Sequence, residues 1–226
     1  MEQTRTGSAL TRASRAFAEE DIRQTWRLFG STVGVAGALW LCALWPALGP
    51  LRYVAAVILG LVNVRIFIFY HDAMHGAVFR KSPLGKWIMR IYGLLILTPE
   101  RVWKDSHNYH HAHTAKIVGA SIGSYPVLTL RMYQAATPWQ RLQYRMARHW
   151  ITMLLGYVTV FLMGMCVRPL LTNPRRNWTA GVSLVVHFGC LAVLWAAFGF
   201  EVALVGWIIP HAVSFASGSY LFFAQH

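Results

Sequence analysis

Acidic side chains and cysteines are scarce in this sequence. It has only 8 Asp and Glu residues against 21 Lys and Arg, for a formal net charge of +13 over 226 residues. The cysteines Cys42, Cys166 and Cys190 lie in apolar stretches without CxxC spacing, which argues against disulfides and thiolate metal ligands. The first apolar run starts only near Leu28 and is as long as a membrane span, so we expect no cleavable signal peptide.

Apolar residues, in contrast, are abundant. The chain is 56% hydrophobic, which is typical of an integral membrane protein and not of a soluble domain. In a soluble protein the strong positive charge would suggest nucleic-acid binding. Membrane proteins, however, carry an excess of Lys and Arg in their cytoplasmic loops. We therefore predict no nucleic-acid partner.

Histidines form two compact groups, His71 and His75 in HDAMH and His107, His110 and His111 in HNYHH. On a helix, residues spaced i, i+3 and i+4 share one face, so each group can direct its imidazoles to a common point. Neutral imidazole binds zinc, copper, iron and nickel, and five histidines suggest more than one ion. A zinc site needs no more than about four ligands. The surplus favours non-haem iron, which can activate O₂.

Apolar and charged segments alternate along the chain in a way that predicts an all-α integral membrane fold. We expect a cytoplasmic N-terminal segment over residues 1–27 and a single membrane domain over 28–226, with four transmembrane helices in two hairpins. Each is about 20 residues long, as a span requires. The predicted spans are residues 28–48, 51–70, 179–199 and 202–224.

Between the hairpins, residues 80–148 carry eleven Lys or Arg and only two acidic residues, so we expect a cytoplasmic region with interfacial helices. The loop 168–178 contains three arginines, whereas the turn at 200–201 has no positive charge. The positive-inside rule therefore places the segment 150–167 in the interface or as a re-entrant element. In this arrangement both histidine groups lie at the cytoplasmic face.

That third element is the closing stretch SGSYLFFAQH, which returns the chain to the level of the two histidine groups. With HDAMHG and HNYHH, it resembles the membrane fatty acid desaturases, whose signature is an HxxxH or HxxxxH box followed by HxxHH, and most closely the bacterial acyl-lipid desaturases. The resemblance covers nearly the whole chain from about Arg27 onward. It implies a di-iron centre, with O₂ as co-substrate, in a multi-pass protein of the bacterial cytoplasmic membrane with a cytoplasmic N-terminus.

Carried over by position, the resemblance implies a set of histidine ligands and no catalytic residue beyond them. The family's third box, a further HxxHH, is absent, so we expect the C-terminal part of the domain to be missing and this chain to be incomplete and inactive alone. Three further residues, Asp72, Asn108 and His113, could hydrogen bond to ligand imidazoles, or could equally be solvated or capping residues. The implied ligands are His71, His75, His107, His110, His111 and His226.

The resemblance implies O₂-dependent desaturation of a long-chain fatty acyl group, carried by a membrane lipid or an acyl thioester, with electrons from a ferredoxin or cytochrome-type donor. Two alternatives stay open. One is a di-iron hydroxylase or ketolase of lipids or carotenoids, and the other is a non-catalytic metal-binding membrane scaffold. For His187 and His211, which lie within apolar stretches, we predict helix-to-helix hydrogen bonds. Trp103 either shapes the substrate pocket or anchors at the headgroup level.

Overall fold

A computed structural model describes residues 7–113, 117 and 125–224 of the protein. Helices are the regular structure of this described part, which contains no strand. In chain order they are α1 (Gly7–Ser14), α2 (Ile22–Leu44), α3 (Leu51–Met74), α4 (Pro83–Leu95), α5 (Glu100–Ala112), α6 (Leu130–Ala135), α7 (Pro138–Ala147), α8 (Trp150–Leu154), α9 (Tyr157–Thr172), α10 (Trp178–Phe198) and α11 (Phe200–Ala224).

Four helices, α2, α3, α10 and α11, are long and apolar enough to cross a membrane, which confirms the predicted all-α membrane fold. Large apolar side chains such as Leu41, Leu61 and Val185 are exposed on their outer surfaces, as expected of helices that face lipid. α9 is apolar but shorter than these four. Its interfacial or re-entrant placement stays a prediction.

The first and second spans extend beyond the apolar sequence that identified them. α2 begins at Ile22 because Asp21 caps it, accepting hydrogen bonds from the backbone N–H groups of Arg23 and Gln24 at 3.0 and 3.1 Å. α3 continues past residue 70 as far as Met74. Hydropathy marks the apolar part of a span, whereas caps and turns decide where the helix ends.

The centre of the bundle is α3, which packs between α2 and α11. At Gly60 the contact with α11 is so close that a Cβ atom would lie 2.6 Å from Val213 Cβ and 2.8 Å from the Pro210 carbonyl oxygen. Pro210 has no N–H, which leaves the carbonyl of Gly206 without its usual partner in the helix. The indole of Trp40 on α2 donates to that carbonyl at 3.0 Å, and so ties α2 to α11.

Candidate metal centre

The first histidine group lies where α3 ends. His71 is on the last turn and His75 caps the helix. The chain then turns in a Schellman motif, in which Ala77 N–H donates to the Asp72 carbonyl at 2.8 Å and Gly76 adopts φ +70°. Glycine reaches this left-handed conformation without steric cost. The sequence HDAMHG therefore stops the helix directly after its second histidine.

The loop that follows is held by an acidic residue near the N-terminal end of the described chain. The Glu20 carboxylate accepts hydrogen bonds from the backbone N–H groups of Phe79 and Arg80, at 2.6 and 2.9 Å. Phe79 is fully buried although its φ is +54°, a conformation that costs a side-chain-bearing residue roughly 1 kcal/mol or more. The carboxylate and the buried ring offset that strain and fix the path of the chain away from His75.

The second histidine group occupies the last turns of α5, and ion pairs hold this helix. Glu100, its first residue, binds Arg90 of α4 and Lys104 of α5, each at 2.7 Å. Asp105 pairs with Arg176 at 2.6 Å, which connects α5 to the loop before α10. These contacts orient α5 relative to both α4 and the second hairpin.

Four histidines, two from each group, converge at one point. One ring nitrogen from each of His71, His75, His107 and His111 lies within 4.8 Å of all the others. The Nε2 atom of His107 is 3.1 Å from Nε2 of His71 and 3.0 Å from Nε2 of His111. Two nitrogens that each lie ~2.1 Å from one metal ion are separated by about 3 Å. The donor set therefore fits a first-row transition metal.

The other two implied ligands are placed differently. The ring centroid of His110 lies 6.2 Å from that of His107 and 5.7 Å from that of His111, and His110 is not one of the four converging residues. His226 lies outside the described residues. The structure thus assembles four of the six implied ligands, and the ligand roles of all six stay predictions.

Two imidazoles of this cluster, those of His75 and His107, have a lowered pKa, which favours the neutral form that metal binding requires. Burial, together with the neighbouring imidazoles of His71 and His111, lowers the pKa of His107 to about 3. Burial and the same two neighbours also lower the pKa of His75. A proton on His75 or His107 would place positive charge against the neighbouring rings, so protonation of these two residues is disfavoured.

Among the three residues predicted to support the ligands, one contacts the cluster. Asp72 Oδ1 lies 2.9 Å from Nδ1 of His71, the carboxylate–histidine arrangement that orients metal-bound imidazoles. His113 Nδ1 instead donates to the Tyr109 carbonyl at 2.8 Å, and its ring stacks on Tyr109. The side chain of Asn108 is exposed.

Trp103 forms the floor of the cluster. It is 1% exposed, its ring stacks on His107 with a centroid distance of 4.3 Å, and it meets His71 and His75 edge-on at 5.5 and 5.7 Å. Its indole N–H is buried without an acceptor in the described part of the chain. Of the two interpretations from the sequence, headgroup anchoring is wrong. The i, i+4 spacing to His107 was the signal that placed Trp103 on the ligand face of α5.

An apolar cavity of about 380 Å³ extends from the cluster into the bundle. His71 and His107 line one end of it, and side chains of α3, α4, α9 and α11 line the rest. Five aromatic rings are part of this lining: Phe67, Tyr92, Phe161, Phe215 and Phe222. The cavity can exclude water from an apolar chain placed against the two histidines.

Comparison with known proteins gives matches in one family. Residues 48–226 match the family model named fatty acid desaturase. A fatty acid desaturase of Bacillus subtilis is 27% identical over 163 residues, which cover 72% of this chain and 46% of that protein. An sn-1 acyl-lipid omega-3 desaturase (ferredoxin) of Synechocystis is 36% identical over 52 residues, or 23% of this chain and 14% of that protein. The matched region thus spans less than half the length of either relative, and no solved structure matches the chain.

Proposed function

This chain belongs to the fatty acid desaturase family, and we propose that it serves the O₂-dependent desaturation of a long-chain acyl group. The observation that carries the proposal is the cavity, which joins an apolar channel to His71 and His107 of the four-histidine cluster. A methylene group held at that end of the cavity lies beside the nitrogens that would bind metal. A protein that only binds metal would not need an apolar channel beside its ligands.

The residues that would hold the metal are His71, His75, His107 and His111, with His110 and His226 as further ligands of a second ion. Bound non-haem iron supplies the O₂ chemistry that cleaves unactivated C–H bonds, for which side-chain acids and bases are too weak. The protein orients the ligands. Asp72 accepts the Nδ1–H of His71, which leaves the Nε2 lone pair directed at the cluster.

An electron donor is also required, and we propose an acidic ferredoxin or cytochrome. Exposed cations lie on α4 and on α5, the helix that carries the second histidine group, among them Lys86 and Arg101. They suit an acidic partner, although the positive-inside rule accounts for the same charges without one. The name of the Synechocystis relative specifies ferredoxin for that protein.

We further propose that the cluster faces the cytoplasm, with the N-terminus on the same side. A reporter fused after Arg176 should then be active in the cytoplasm. Arg176 lies in the loop before α10 and pairs with Asp105 of α5, so this loop and α5 lie on the same side of the membrane. A periplasmic signal from the same fusion would contradict the orientation.

Product analysis tests the reaction. The full protein, expressed with a ferredoxin and its reductase, should convert membrane acyl chains to products that have lost two hydrogens, as seen by lipid mass spectrometry. A gain of one oxygen instead would indicate hydroxylation. The matched control is His107→Ala, which removes the central nitrogen of the cluster. Unchanged lipids in cells that contain the folded, iron-loaded protein would refute the proposal.

A further inference from the structure

A second, larger space lies beside the cavity. This lateral groove, of about 1060 Å³, is bounded by α7 and α8 on one side and by α3 and α11 on the other. Arg145, Arg148 and His149 line one part of it, and apolar residues such as Leu61 and Leu154 line another. The cationic part suits the phosphate headgroup of a phospholipid, and the apolar part next to it suits the acyl chains.

The groove and the cavity share two wall residues, Val64 of α3 and Leu221 of α11. At Gly60 the two helices are in backbone contact, but from Val64 onward residues of both helices line the cavity instead. The helices therefore separate toward the histidine end. Among the described residues, Val64 and Leu221 are the two that line both spaces, so they mark the boundary between the cavity and the groove.

The arginines of the groove are placed for an anion from outside the chain. No ion pair within the described ranges involves Arg145 or Arg148. The Arg148 guanidinium lies 4.6 Å from the ring centroid of Phe223 and donates to the Pro126 carbonyl at 3.0 Å. Those contacts fix its position and leave further N–H donors for a phosphate, which guanidinium binds well.

We propose that the lateral groove binds an anionic glycerophospholipid, with its phosphate at Arg145 and Arg148 and one acyl chain passing between Val64 and Leu221 into the cavity. The inference rests on the proposed function and adds the carrier of the acyl group, an intact membrane lipid. Such a lipid reaches the histidines from the side of the bundle.

Photolabelling tests the site without requiring any reaction. The full chain is placed in phosphatidylcholine nanodiscs that contain phosphatidylglycerol with a diazirine midway along one acyl chain, and the labelled peptides are mapped by mass spectrometry. Label should appear on cavity residues such as Phe67 and Phe222. The double variant Arg145→Ala, Arg148→Ala should lower it about 25-fold, because each arginine near a membrane contributes about 1 kcal/mol to anionic lipid binding, or about fivefold.

The matched control is Lys86→Ala, which removes an exposed cation that lines neither space and should leave the labelling unchanged. Equal labelling in the double arginine variant would overturn the proposal, as would equal labelling by a phosphatidylcholine probe. Inorganic phosphate in millimolar amounts should not displace the label. Displacement would mean that the arginines bind free phosphate and not a lipid.

A second variant tests the passage. Val64→Trp should move the label from the cavity to groove residues such as Leu154, whereas Val57→Trp, at a lipid-exposed position of the same helix, should not. Cobalt binding by the histidine cluster reports that each variant is folded. Normal cavity labelling in Val64→Trp would refute entry at this point. If the labelling follows these expectations but no desaturated product forms, the proposed function is refuted and the lipid site stands. If product forms but the labelling does not depend on the arginines, the lipid site is refuted and the proposed function stands.

Discussion

The protein has two groups of histidines, a partly exposed one at the end of the bundle and a buried one inside it, and they differ in what their nitrogens face. In the four-histidine cluster, nitrogen faces nitrogen: Nε2 of His107 lies about 3 Å from Nε2 of both His71 and His111. Each neutral imidazole has one donor and one acceptor nitrogen, so such a cluster cannot satisfy all its nitrogens internally. A metal ion uses the lone pairs that remain.

Within the membrane-spanning region, His187 and His211 face carbonyls and a hydroxyl instead. His187 Nδ1 donates to the Leu95 carbonyl at 2.5 Å, and its Nε2 accepts from the Tyr157 hydroxyl at 2.6 Å. His211 Nδ1 donates to the Trp207 carbonyl at 2.8 Å. Burial alone therefore does not identify a metal site. The chemistry of the partner atoms does, and it assigns His187 and His211 to the scaffold.

The largest expected effect is that of His107→Ala. It removes the nitrogen that two other ligands face, so bound iron or cobalt should fall to background and desaturated product should be undetectable. His187→Phe should keep the full metal content, measured by elemental analysis of the purified protein. Full metal occupancy in His107→Ala, or an equal loss in folded His187→Phe, would erase the distinction between the two groups.

The sequence predicted the number of spanning helices and the histidine groups because both depend on local periodicity. It did not predict which members of HNYHH converge: i, i+3 and i+4 share a face, but only His107 and His111 meet the first group. Ring direction depends on how α5 packs, which local spacing does not encode. The interhelical bond predicted for His187 is confirmed. The one predicted for His211 is wrong, because in the described part of the chain His211 bonds to the Trp207 carbonyl of its own helix.

The hydrogen bonds from the backbone of Phe79 and Arg80 to Glu20 could not be predicted from the sequence either. They join positions about sixty residues apart along the chain, and a lone glutamate near a helix start has no pattern that identifies such a partner. The same holds for the shared wall of Val64 and Leu221. Contacts of this kind arise from tertiary packing and are visible only in the folded chain.

A smaller effect is expected for Asp72→Asn. The amide can still occupy the site but accepts the His71 Nδ1–H more weakly than a carboxylate does, and such outer partners typically change metal affinity 10–100-fold. Cobalt titration of the purified protein measures the change. His113→Ala is the control, since among the described residues the hydrogen bond of His113 is to Tyr109 of its own helix. Equal affinities for wild type and Asp72→Asn would remove Asp72 from the metal site.

For the membrane-embedded pair His187 and His211 the prediction concerns stability. His187→Phe leaves the Leu95 carbonyl and the Tyr157 hydroxyl without their partner, and an unsatisfied buried polar group costs about 1–3 kcal/mol. At 2–4 °C per kcal/mol for a chain of this size, the melting temperature in detergent should fall by several degrees. A melting temperature equal to that of wild type would show that the His187 contacts do not stabilise the bundle.

The smallest effect should come from Tyr157→Phe. The substitution keeps the stacking of the ring on Phe215, at a centroid distance of 5.1 Å, and removes only the hydroxyl that donates to His187. Trp207 Nε1 lies 3.4 Å from the same His187 nitrogen and can take over part of that bond. Because interhelical hydrogen bonds in membranes average about 0.6 kcal/mol, the melting temperature should fall by about 1–2 °C with metal content unchanged. A loss of metal in Tyr157→Phe would instead mean that the two histidine groups are coupled through α9.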